Sequence, residues 1–147
     1  MRLRDVMTSV VGTLKADPFF ASLEVLHTVE VAYNHKLEAA LRETGLALVV
    51  TQASGSPTGG RGPHLYLENT VMVSVLENPA TNQTGKGCLE CVEAVLSCLH
   101  QSNWPTQRGL QNVLTVDTPA YEAGPLDGGL VVYFCNFTVL TIQSVHE

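Results

Sequence analysis

Charge is scarce in this chain of 147 residues: Asp, Glu, Lys and Arg make up 15%, against about 25% in an average domain. The basic residues number eight, at Arg2, Arg4, Lys15, Lys36, Arg42, Arg61, Lys86 and Arg108, and the net charge is −6. They form no stripe, which argues against nucleic-acid binding through phosphate neutralisation. No segment approaches the ~20 uninterrupted apolar residues of a membrane span. Arg2 and Arg4 imitate the start of a secretory signal. However, Asp5 follows at once, Thr8, Ser9, Gly12 and Thr13 interrupt the apolar run, and Lys15 and Asp17 stand where a cleavage site would be. A secretory signal is therefore not expected, and the sequons at Asn82 and Asn136 carry no weight.

Cysteine is also sparse. Cys88, Cys91 and Cys98 share one predicted helix, and Cys135 stands alone. That is a poor disulfide framework and points to free thiols in a reducing, intracellular compartment.

The motifs of common chemistries are missing. Around Lys86, Ala80 replaces the first glycine of a phosphate loop and Gly87 replaces its Ser or Thr. The backbone cradle and the magnesium-binding hydroxyl are thus both absent. The stretch reads instead as a flexible entry to a helix. No nucleophile elbow or other hydrolase signature occurs. Cys88-Leu89-Glu90-Cys91 has redox spacing, but a polar loop precedes it and both cysteines fall on the apolar side of their helix. Small buried cysteines are the simpler reading. Zinc would need further ligands, and His27, His35, His64, His100 and His146 supply no second pair at ligand spacing. The sequence therefore predicts no catalytic residue, no metal site and no cofactor.

What is present is enough apolar material, 45% of residues, for one domain spanning 1–147 to bury a core unaided. Leu3, Val6, Met7, Val10, Val11 and Leu14 recur at helical spacing, and Asp17-Pro18 ends that helix. The β-branched run from Leu23 to Tyr33 predicts a strand. Asn34 is placed to cap a short helix ending at Glu43, with Gly45 as its left-handed terminator. Leu46–Thr51 reads as a buried strand. Gly55 to Pro63, with four glycines and two prolines, reads as a long mobile loop.

His64–Glu77 is the next strand, with Val71, Val73 and Val75 on one face, and Asn78–Gly85 a second loop. Lys86–Gln101 is the best helix, with Leu89, Val92, Val95, Leu96 and Leu99 as its stripe. Ser102–Gly109 reads as a loop carrying the lone tryptophan, Trp104. A strand at Leu110–Val116, a turn-rich connection at Thr118–Gly129 and a long strand at Leu130–Ile142 follow. In that last strand Tyr133, Cys135, Phe137 and Val139 share one face, and Phe134, Asn136, Thr138 and Leu140 the other.

The expected order is α-β-α-β-β-α-β-β. The fold class is α+β, a single mostly antiparallel or mixed sheet with helices packed on one face. Gly59, Gly60 and Arg61 in the long loop are candidate interface residues, since a long loop in a compact domain is either disordered or a partner contact. Trp104 joins them as a potential anchor, with folding back over the core edge as its plainer role.

The layout from strand Val71–Glu77 through the polar loop Asn78–Gly87, the helix Cys88–His100 and two further strands, with the N-terminal helix Leu3–Leu14, resembles the tail terminator or tail completion proteins of long-tailed bacteriophages. The resemblance rests on element order and length, so no functional residue is carried over, and the helix Asn34–Glu43 departs from the plainest pattern. It implies a non-enzymatic virion subunit, assembled in the host cytoplasm, that forms a hexameric ring on the tail tube. That ring would meet the head-tail connector, with loops Ala53–Pro63 and Thr118–Gly129 reaching across to partners. Two other readings stand beside it: a small ligand- or protein-binding α+β domain of a bacterial cell, and a thiol redox protein using Cys88 and Cys91.

Overall fold

A computed structural model describes residues 3–59, 63–105, 111–125 and 128–144. Helix α1 (Leu3–Ala16) leads through a short 3-10 turn (Pro18–Phe20) to strand β1 (Glu24–His27). Then come α2 (Tyr33–Glu43), β2 (Leu46–Gly59), β3 (His64–Glu77) and α3 (Cys88–Leu99). The described chain ends with β4 (Asn103–Pro105), β5 (Gln111–Val113), β6 (Thr115–Ala123) and β7 (Val131–Ser144). Five strands form one mixed sheet in the order β1-β2-β3-β7-β6, and β4 and β5 form a separate hairpin. Only the β1–β2 pair is parallel; the other pairs in the main sheet are antiparallel. The α+β class is as expected.

The core follows from the two periodicities. Val6, Val10 and Leu14 of α1 are fully buried, as are Val95 and Leu99 of α3. These two helices lie together on one face of the sheet. That face presents the valine row Val71, Val73 and Val75, next to Phe137, Cys135 and Tyr133 in register on β7. Val25, Leu48 and Val50 continue it across β1 and β2. On the alternate side of those two strands, Leu26, Ala47 and Val49 are buried, where α2 contacts β1 and β2.

Gly45 has φ +81, and a Cβ there would come within 2.3 Å of the Asn82 backbone nitrogen. Only glycine fits, as the helix terminator and as a seat for the following loop. That 78–87 loop is not the flexible entry its composition suggests. Asn82 accepts from the Thr84 N–H (2.9 Å) and hydroxyl (2.6 Å), and its amide donates to Glu77 and to the Lys86 carbonyl. Thr81 donates to the Leu41 carbonyl at 2.7 Å.

Four boundaries differ from expectation. The strand expected over Leu23–Tyr33 stops at His27, because Thr28 to Ala32 turn away from the sheet. Asn34 is not the cap of α2: the helix starts at Tyr33 from Ala32 in the left-handed region (φ 58), with no side-chain cap. The stretch from Gly55 to Gly59 is strand rather than loop. Bulges between Gln52 and Ser54 and between Pro57 and Gly59 absorb its irregular residues while it pairs with β3. Proline is tolerated because β2 is an edge strand here. Likewise Thr118–Ala123 belongs to β6, with a register shift between Val116 and Tyr121 that spans Pro119.

Candidate functional site

Strands β2, β3 and β7 are 14 residues each, about 46 Å of extended chain. This is longer than the layer that covers them. α1 and α3 pack on the proximal half. The distal half, comprising 51–59, 64–70 and 138–144, forms a three-stranded arm in which Ala53 to Gly59 are all exposed. Among those residues Glu68 is the one charged side chain, counting histidine as neutral.

At the base of the arm sits a buried polar knot. The Asn69 amide donates to Thr141 Oγ1 (2.8 Å) and to the Val139 and Leu67 carbonyls (3.2 and 3.3 Å). Its Oδ1 accepts from Gln52 Nε2 at 3.3 Å. Gly55 leaves the space for this oxygen, since a Cβ there would lie 2.9 Å from it. Every strand of the arm contributes to the knot. A buried amide so fully satisfied specifies register as well as stability.

Two surface features flank the sheet. The turn after β1 holds Val29 and Val31, 68% and 86% exposed. Glu30 between them is turned inward. Its carboxylate accepts from Lys36 Nζ (2.8 Å) and from the His27 N–H (3.2 Å). Burial raises the Glu30 carboxyl, but the Lys36 hydrogen bond, the His27 N–H and the charges of Lys36 and His27 outweigh it and hold the group below its usual value. Across the sheet, a groove of about 470 Å³ opens between the arm and β6, lined by Val113, Val116, Leu140, three threonines and the carboxylates of Glu68 and Asp117.

The surroundings of the thiols disfavour the thiolate form. Cys88, Cys91 and Cys135 are buried. Burial first, then neighbouring carboxylate and thiolate charge, pushes each up to about 12. A redox nucleophile needs the opposite shift. Cys98, half-buried, is pushed up to about 11, first by burial and then by Asp17. Among the described residues no group of three His, Cys, Asp or Glu could hold a metal ion.

Of the expected interface residues, Gly59 ends β2 with φ +128, at the tip of the arm. Gly60 and Arg61 lie outside the described residues. Trp104 belongs to β4, paired with Asn112, rather than to a loop, and the structure does not bring its backbone into the arm. Sequence reasoning missed Asn69, Thr141 and the valine turn. One signal was available: Asn69 shares the parity of Val71, Val73 and Val75, so an asparagine was due on a buried face. Nothing marked Val29 and Val31, whose β-branched character reads as strand.

Compared with known proteins, the chain matches no family model and no curated relative.

Proposed function

We propose that the protein is a structural subunit of the phage tail terminator kind, in which copies join into a ring that caps the tail tube, with no chemistry of its own. The nearly uncharged arm, with Ala53 to Gly59 of β2 exposed along it, is the observation that supports this reading. Native sheets protect exposed edges with charge, bulges and proline; here two bulges and Pro57 are present, but charge is not. Such a surface suits burial against neighbouring subunits, whose contacts in a ring run head to tail. A strand-built arm also suits assembly better than the reaching loops expected from composition, since a pre-ordered segment loses little entropy on docking.

Negative-stain electron microscopy of the purified chain over a concentration series, with and without tail tubes, tests the reading. Closed rings, free or seated on tube ends, are the expected result. Monomers at every concentration that also ignore tube ends would overturn it and leave a small binding domain as the better account.

A further inference from the structure

The two edges of the main sheet are built differently. β6 forms one edge. It carries Asp117, Pro119 and Glu122, together with the register shift between Val116 and Tyr121. Charge, proline and irregular pairing are the usual guards against a strand from another chain. At the other edge, β1 covers β2 only from Ala47 to Val50. The Thr28 N–H donates to the Val50 carbonyl at 3.1 Å, and the chain then leaves the sheet. Beyond that point β2 has one neighbour, β3. Over residues 51–59 it carries no charged side chain and a single proline, Pro57.

The phase of this open edge follows from the ladder. In an antiparallel pair, alternate residues turn their backbone groups toward the partner strand and away from it. Val50 gives its carbonyl to the β1 side, so its partner Val73 turns away from β2, toward β7. β3 runs against β7 in unbroken register, so Val71, Asn69 and Leu67 share the phase of Val73. Their partners on β2 are Gln52, Gly55 and Pro57, which therefore turn their backbone groups outward. Pro57 suits such a position, since it has no N–H to pair. Among the described residues, no backbone hydrogen bond outside the β2–β3 ladder reaches these three.

We propose that the open edge of β2 pairs antiparallel with the same edge of a second copy, extending the sheet across a two-fold axis. An extended strand is the partner that a row of free backbone donors and acceptors takes. Neutrality favours this edge's own copy: when identical strands pair antiparallel, a charge near the axis meets its like, which is destabilising, and residues 51–59 bring none. The contact goes beyond the ring reading. It is isologous and closes on two copies, leaving head-to-tail contacts to the faces of the arm. So short an edge falls below the about 800 Å² per partner of a standard interface, and association belongs at high micromolar concentration.

Light scattering after size exclusion and amide exchange by NMR, both on the full chain from micromolar to millimolar concentration, test it with Ser54→Lys. Ser54 is exposed, so melting should match the parent; Ser56→Lys, also exposed, serves if the first variant melts early. The parent should associate through dimers, and exchange at the Gln52 and Gly55 amides should slow at least tenfold as it does. The lysine variant should need at least tenfold more protein to associate. A parent that stays monomeric, an association that leaves the Gln52 and Gly55 amides as fast as in the monomer, or a lysine variant that pairs like the parent would overturn the edge pairing. Rings on tube ends formed by the lysine variant would uphold the ring reading whichever way the edge result falls, so the two fail separately.

Discussion

The proximal and distal halves of the sheet share three strands and differ in nearly everything else. Near β1, the valine row is sealed by α1 and α3, and Val71, Val73, Val75, Cys135 and Phe137 are fully buried. In the arm the same strands continue with Ala53 to Gly59 exposed, held by ladder hydrogen bonds and the Asn69 knot. Burial of apolar area supplies most of the stability in the first half. In the second, register and polar satisfaction take over. A strand can therefore be a core element at one end and a surface element at the other, and mutations should report which end they touch.

The largest effect should come from alkali, because the buried titrating thiols belong to the covered half. Cys88, Cys91 and Cys135 have folded values raised to about 12 from an ordinary 9.0. A raised thiol value means the unfolded chain loses its protons first. Stability is then full below pH 9 and falls as pH climbs toward 12. The three thiols act in the same direction, each releasing its proton more readily once the chain unfolds. Circular dichroism should show cooperative unfolding in that window, less steep in Cys91→Ala. Thiol reagent at pH 8 should label these three cysteines only in denaturant, and prompt labelling of the native chain would contradict their burial.

Phe137→Ala should come next. The ring is fully buried beside the valine row, on the sheet face that the helices cover, and emptying such a site costs about 3–5 kcal/mol. The matched change in the arm, Leu140→Ala, removes a side chain that is 46% exposed and should cost well under ~1 kcal/mol in the isolated chain. Urea unfolding of the two variants measures the contrast directly. Similar losses would mean that the arm is covered in solution.

How far each half was legible follows from the same contrast. Where one face is sealed, the pattern is forced. The alternation at Val71, Val73 and Val75 and the helical spacing from Val6 to Leu14 could be read because each buried position must be apolar. Gly45 was legible for a backbone reason. In the arm no such rule operates: β2 continues through Gly55-Ser56-Pro57 because the regular strand His64–Thr70 lies alongside to pair with it, and that information is not local to residues 55–59. Thr118–Ala123 was misread for the same reason, since β7 supplies the ladder. The valine turn failed in the other direction: strand-like residues leave the sheet because Glu30 finds Lys36 and the His27 N–H.

A smaller loss should follow from Asn69→Ala at the boundary between the halves. Thr141 is fully buried, and its hydroxyl would lose the 2.8 Å donor while two strand carbonyls lose a second one. Leaving such groups unpaired costs about 1–3 kcal/mol. Where the loss appears matters more than its size. Hydrogen exchange should speed up at 53–59 and 64–68, while amides of α1 and α3 keep their protection, because local opening of the arm need not disturb the helical layer. If α1 and α3 lose protection in step with the arm, the two halves unfold as one unit and the distinction between them has no energetic meaning.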